Sequence, residues 1–409
     1  MSTLWRRQNG ILLLLFLTWG TVFLDRMSQL YLAPYMIGDL KLDSGKVGNL
    51  AAVTGICWAF STLVLGALSD RIGRRKVLLP AIFSFSILSW LSGIAQNYEQ
   101  MLLIRALLGI AEGPCWSVIT ALVEETSEPQ HRGRNVGIVV SAASLIGLAV
   151  APVLTTQVAA HFGWRAAFFV AGVPGIILGV LIWRLVPEPP RKGGANAAHL
   201  TLSDYLSVFT YRNMWLCCLG AIGVICWLFE VNVFAPLYIT QVAGQPGTTA
   251  GFLLGAAGFG AFFLGMIFPA WSDRIGRKMA LIIMSVMIAI LVVAMLSQSL
   301  YTNLWLLAII FFVTNAQQGI VALMMVLVPT ETVPPRLAAT AIGMATMAAE
   351  IVGATAAPAI GGALAQEHGL AVPLYMALGG AAVVFIVALL MKETARHTSQ
   401  VHEPSSSVA

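Results

Sequence analysis

Along its 409 residues the chain alternates long apolar stretches with short polar intervals. A helix crosses a bilayer on about 20 apolar residues, and twelve stretches approach or exceed that length. They fall at about 11–35, 48–68, 77–96, 101–123, 135–160 and 166–186, then 214–241, 249–271, 279–298, 303–328, 338–364 and 370–391. Backbone polar groups must be satisfied internally in lipid, so each stretch is expected to be a transmembrane helix. The longest polar interval, 187–213, reads PEPPRKGG and later TLSDYLSVFTY. Its second part places Leu202, Tyr205, Leu206 and Phe209 as the apolar side of a short interfacial helix. The pattern divides the chain into a six-helix bundle (1–186), a cytoplasmic linker (187–213), a second six-helix bundle (214–391) and an unstructured tail (392–409). Arg6 and Arg7 precede the first stretch as in a signal peptide, but no cleavage site follows and Asp25-Arg26 interrupts the run, so a first span is expected.

The two bundles repeat one another. SDRIGRRK at 69–76 returns as SDRIGRK at 272–278, an offset of 203. At an offset of 206, Glu125-Thr126 matches Glu331-Thr332, Gly147 matches Gly353 and Ala151-Pro152 matches Ala357-Pro358. Two parallel six-helix repeats are a transporter architecture, with the ligand site near mid-membrane between the halves.

Composition agrees: 58% of residues are hydrophobic and 10% charged, against roughly 25% charged in soluble domains, which excludes a water-soluble enzyme. Of 23 Lys and Arg, 18 fall on one side of the proposed spans, three on the other (Lys41, Lys46, Arg165) and two within them (Arg26, Arg105). The positive-inside rule then puts both termini in the cytoplasm. The net charge of +5 is therefore an orientation signal, and nucleic acid is not expected as a partner. The five cysteines lie in apolar runs without metal-ligand spacing, so no metal or cofactor is expected. All six histidines are expected in loops or the tail, which excludes a mid-membrane histidine relay. No Asn-x-Ser/Thr sequon occurs, which favours a bacterial origin, and the expected location of such a polytopic protein is then the inner membrane.

The loop GALSDRIGRRK, from Gly66 to Lys76 with Asp70, Arg71, Gly73 and Arg74, combines a tight turn, a basic cluster and an acid at the membrane edge. It resembles the signature loop of the major facilitator superfamily. That resemblance implies a twelve-helix all-α fold in two pseudo-repeats and a gate in which the acid packs on a helix N-terminus. The second copy keeps Asp273 and Arg274 but has Pro269 where glycine would stand.

Charges inside spans cost roughly 2.5–3.5 kcal/mol each on insertion scales. Here they are Asp25 and Arg26 on helix 1, Arg105 and Glu112 on helix 4, Glu230 on helix 7 and Glu350 on helix 11. Arg105 and Glu112 are two turns apart and share a helix face. Adjacent Asp25 and Arg26 diverge by about 100°, so Arg26 is expected to face the cavity and Asp25 helix 4. A structural salt-bridge cluster is the alternative. Both cations lie in the N-terminal half, where arginine suits a carboxylate ligand, and acids held in a low-dielectric cavity can take up protons near neutral pH.

Asp-Arg on helix 1 together with Arg-A-L-L-G-I-A-Glu-G-P on helix 4 resembles the anion:cation symporter family of galactonate, hexuronate and tartrate carriers. Spinster-type lipid carriers share the Asp-Arg and a helix 4 acid. By position, the first resemblance implies that Arg26 binds substrate carboxylate, that Asp25 and Glu112 couple protons and that Arg105 supports them. Trp58 stands where those carriers have a tyrosine, and Glu350 where an amide is usual. Both departures favour a less hydroxylated or aromatic carboxylate over a sugar acid. Glu230 reads either as a further protonation site or as a structural acid. Gln318 falls on Glu112 in the repeat, and with Asn315 and Gln317 it either hydrogen-bonds ligand or ties helices together.

The sequence thus predicts a monomeric carrier in the lipid bilayer, coupling protons to a small organic anion by alternating access. The expected substrate-binding residues are Arg26, Trp58, Arg105, Gln318 and Glu350, and the expected proton-coupling residues Asp25, Glu112 and Glu230. An efflux antiporter or a Spinster-like lipid carrier is the rival. No nucleophile-base or metal-ligand set in the spans points to an enzyme.

Overall fold

The computed structural model describes residues 3–188, 207–334 and 337–395. Twelve helices long and apolar enough to cross a membrane follow in order: α1 (Gln8–Leu40), α2 (Ser44–Ser69), α3 (Arg74–Gly93), α4 (Tyr98–Thr126), α5 (Arg132–Phe162), α6 (Trp164–Leu185), α7 (Arg212–Val242), α8 (Gly247–Ile275), α9 (Arg277–Leu296), α10 (Leu304–Thr332), α11 (Ala338–His368) and α12 (Ala371–Leu390). Among the described residues there is no strand.

Several helices outrun the apolar stretches that predict them, because a helix keeps satisfying its own backbone until a capping residue stops it. Asp43, Asn97 and Asn303 stand just before α2, α4 and α10. Their side chains accept hydrogen bonds from the backbone N–H of Lys46 (2.7 Å), Gln100 (2.9 Å) and Leu306 (3.1 Å), as N-caps do. Gly73 and Gly276 turn the chain from α2 into α3 and from α8 into α9 with φ of 118° and 92°, a conformation that a side chain resists.

The repeat is also visible in the backbone. α5 and α11 each widen into a π-helical turn, at Ala143–Val150 and Ala349–Ala356, directly before their Ala-Pro pairs. Proline has no N–H to give and its ring crowds the carbonyl four residues back, so the turn before it opens.

α1–α6 and α7–α12 pack as two bundles that meet along α1 and α7, α2 and α11, and α5 and α8. Close approaches lie toward the face opposite the basic loops. A Cβ at Gly48 would stand 2.1 Å from the Pro358 carbonyl oxygen, at Gly362 2.6 Å from that of Ser44, and at Gly251 2.1 Å from Thr156 Oγ1. Small residues there let helices pack backbone to backbone. On the basic face the described polar contacts stay within one half, as in Arg74 with Glu125 (3.5 Å) and Arg277 with Glu331 (2.8 Å). Large apolar side chains such as Phe60, Leu63 and Trp305 point outward, toward where lipid lies.

Three expectations change or fall away. The chain from Lys392 is not unstructured at once: Glu393 accepts from the backbone N–H of Arg277 (2.8 Å) and Lys278 (3.1 Å), filling the donors at the start of α9, and residues from 396 lie outside the described set. The interfacial helix expected in the linker lies mostly outside the described residues, although Val208–Thr210 forms a single 3-10 turn with Phe209 stacked on Trp215. His161 and His368 occupy the last turns of α5 and α11 rather than loops, because each helix continues to the following glycine.

Candidate functional site

α1 carries Asp25 and Arg26 to its middle and, by the angle between successive helical side chains, sends them to different neighbours. Arg26 faces the seam between the halves. Its Nη2 lies 3.5 Å from Glu350 Oε2 on α11, and its guanidinium carbon sits 3.5 Å from the centre of the Trp58 ring on α2 and 5.2 Å from that of Phe229 on α7. A cation over an aromatic face is attracted by the ring quadrupole. The Arg26 side chain is 4% exposed and that of Glu350 20%, so Glu350 is the more open member of the pair.

Asp25 turns into the N-terminal bundle. It is fully buried with Arg105 and Glu112, close enough for the three charges to interact, and its carboxyl group faces that of Glu112. No hydrogen bond of good geometry reaches any oxygen of Asp25 or Glu112, although the Ser89 hydroxyl of α3 stands near Asp25 while donating to the Phe168 carbonyl (3.1 Å). Arg105 donates to Ser92 Oγ on α3 (2.6 Å) and lies 5.0 Å from the Phe168 ring on α6, while its Nε and Nη1 have no partner. Two carboxyls and a guanidinium with spare hydrogen-bonding capacity therefore sit on the far side of α1 from Glu350.

The other predicted residues are more dispersed. Glu230 on α7 is fully buried with its carboxylate against Gly361 of α11, where a Cβ would stand 2.4 Å from Oε2, and neither oxygen has a donor. Gln318 is half-buried beside Gly265 of α8, and no described contact joins it to Arg26. Asn315 donates to the Ala257 carbonyl (3.0 Å), tying α10 to α8. In the loops, Gly66 packs on Ser117 of α4, Arg71 and Arg274 are exposed, and Asp273 pairs with Arg277 at 2.7 Å. The Asp70 side chain lies outside the described set. Gly73 abuts Glu188, which also accepts from the Arg75 N–H (3.4 Å).

Several partners escaped the sequence reading. Arg74 donates to Ser69 and pairs with Glu125; Arg277 donates to Ser272 and pairs with Glu331, the same constellation in both halves. The repeat held that signal, since serine, arginine and glutamate all recur in it. Tyr31 donates to Asn232 Oδ1 across the seam at 2.9 Å. Phe229 beside Arg26 carried no signal, being one apolar residue in an apolar run.

Known proteins resemble the chain over most of its length. The family model described as Major Facilitator Superfamily matches residues 14–357. A probable 4-methylmuconolactone transporter from Cupriavidus pinatubonensis is 29% identical over 363 residues, covering 86% of this chain and 83% of that protein. The cis,cis-muconate transport protein of Acinetobacter baylyi is 26% identical over 402 residues, 92% and 95% of the two chains. The crystal structure of a bacterial homologue of the human lysosomal transporter Spinster, inward-facing and unoccupied, superposes with a TM-score of 0.77 at 18% identity, covering 95% of this chain and 98% of the other.

Proposed function

Because the chain belongs to the major facilitator superfamily, we propose that it is a proton-coupled symporter of a small organic carboxylate, working by alternating access in a bacterial inner membrane. The observation that carries the substrate class is Arg26, a buried guanidinium at the seam between halves whose one described ion-pair partner is a carboxylate. An incoming carboxylate presents the same chemistry. Trp58 gives that site a broad aromatic wall and a single N–H donor, which suits an unsaturated or aromatic acid better than a polyhydroxylated one. The muconolactone and muconate names of the two relatives point the same way.

Substrate contacts fall to Arg26 and Trp58, with Glu350 at the same site as the carboxylate now paired with Arg26 and with Arg105 and Gln318 as supporting groups farther off. Proton carriage falls to Asp25 and Glu112, whose facing carboxyls receive no hydrogen bond of good geometry. A proton held between them lets one carboxyl donate to the other. Glu230, equally without a donor, is the candidate for a further proton in the other half. The basic face is cytoplasmic by the positive-inside rule, and the close packing of α2 on α11 and α5 on α8 at the other face fits the inward-open end of the cycle. Gly66, Asp70, Arg71, Gly73, Arg74, Asp273 and Arg274 form the gating loops. One copy holds the whole site, so a monomer is the working unit.

The test is current from the purified protein in liposomes with muconate, benzoate and galactonate. Current with one acid, larger at low external pH and absent in Arg26→Ala, supports the reading; current only with cations or amphipaths overturns it.

A further inference from the structure

Glu350 holds the position on Arg26 that a substrate carboxylate needs, and we infer that it is a built-in stand-in for the substrate, occupying the arginine in the empty carrier and leaving it when an anion binds. The inference rests on the carboxylate reading above and deepens it. Trp58 covers one side of the guanidinium at 3.5 Å and Phe229 lies within 5.2 Å. Glu112 acts on Arg26 as a more distant charge, and the carboxylate in direct contact is Glu350, whose greater exposure makes it the group an incoming anion meets first.

Three features fit a displaceable contact rather than a fixed one. The contact is a single 3.5 Å approach, not the two-pronged pairing that arginine makes with a firmly held carboxylate. Among the described residues Glu350 has no other hydrogen-bond or ion-pair partner. It sits in the wide turn Ala349–Ala356, where the helix has departed from regular α geometry, and such turns recur at functional sites.

The pair also crosses the seam, from α1 of one half to α11 of the other. Displacing Glu350 therefore exchanges a tie between the halves for a tie between Arg26 and the ligand, which links occupancy of the site to freedom of the halves to move. The stand-in sets a threshold for selectivity: a ligand that cannot match a carboxylate on Arg26 leaves Glu350 in place.

The experiment measures dissociation constants for cis,cis-muconate and benzoate by tryptophan fluorescence of the purified full-length protein. Wild type is compared with Glu350→Gln, Glu350→Ala, Glu350→Asp and the double variant Arg26→Ala/Glu350→Gln. The expected result is at least about tenfold tighter binding in the Gln and Ala variants, or binding gained where wild type has none. The Asp variant, which keeps the charge, is expected within about threefold of wild type, and the gain is expected to vanish in the double variant. Equal or weaker binding in the Gln and Ala variants, a gain that survives loss of Arg26, or no binding in any variant overturns the inference. The symport reading is judged separately by proton-driven uptake in wild type, so uptake that persists without the gain in affinity would remove the stand-in and leave the carrier.

Discussion

Tyr31 on α1 donates a 2.9 Å hydrogen bond to Asn232 Oδ1 on α7, and so pins the two halves together beyond Arg26, on the side away from the basic loops. Both residues are buried, and a buried neutral hydrogen bond is worth about 1 kcal/mol net. Tyr31→Phe is expected to shift the conformational balance about fivefold toward the state open on the opposite face. Labelling of a cysteine placed at Ser44 by an impermeant maleimide, in a background without the native cysteines, reads this shift. Unchanged labelling would show that the bond does not discriminate between the two states.

A larger effect in the same direction is expected at Gly48, where a Cβ would stand 2.1 Å from the Pro358 carbonyl oxygen. Backbone cannot give way as a flexible side chain can, so Gly48→Val must part α2 from α11 at that face. The variant is expected to label strongly at the Ser44 reporter and to transport at under about a tenth of the wild-type rate. Normal transport with normal labelling would place the seam elsewhere.

Arg26 makes a charge contact and a stacking contact together, and lysine reproduces only the first. Arg26→Lys is expected to weaken carboxylate binding by about tenfold or more, with folding preserved in a thermal melt. Wild-type affinity in this variant would mean that charge alone recruits the ligand and that the Trp58 platform is incidental.

Glu112→Gln keeps the volume and hydrogen-bonding capacity of the side chain but cannot take up a proton, which tests its proposed coupling role. Proton-driven accumulation is expected to fall to background while counterflow exchange of labelled substrate persists, and the remaining exchange is expected to lose its dependence on external pH. Accumulation at the wild-type level would remove Glu112 from the coupling pathway.

Arg277 is mostly buried and ties Ser272, Asp273 and Glu331 together at the start of α9. Losing it leaves the buried Ser272 hydroxyl and the largely buried Glu331 carboxylate without their cation, at a cost of about 1–3 kcal/mol, whereas the exposed Asp273 is taken up by water. Arg277→Ala is therefore expected to lower the melting temperature in detergent by several degrees while leaving ligand affinity within about twofold, which a melt and a binding titration together check. A loss of affinity with an unchanged melt would mean that this loop communicates with the site.

Some of these relationships were legible in the chain. Arg105 and Glu112 share a helix face because seven residues make two turns, and Asp25 and Arg26 must diverge because neighbours on a helix do. The structure sends those two as that geometry requires, one into the bundle and one to the seam. Other relationships carried no local mark. Gln318 matched Glu112 in the repeat, yet it packs beside Gly265 without a described contact to Arg26, because a repeat preserves position in a bundle while the rotation and tilt of each helix decide what its side chain meets. Glu393 lay in what composition marked as a tail, and the unfilled N–H groups opening α9 hold it in place.

What the sequence determined by itself is whatever depends on local chemistry: twelve spans, because lipid demands about 20 apolar residues for each; two halves, because the motifs recur at a near-constant offset; and a short set of intramembrane charges, because each is costly. What only the tertiary structure decided is how those charges pair. Arg26 meets Glu350 across 324 positions of chain, Tyr31 meets Asn232, and Glu230 rests on Gly361 rather than on a cation. The first two pairings depend on how the two bundles are rotated against one another and the third on how α7 and α11 pack within one bundle, and nothing in the spacing along a single helix records either.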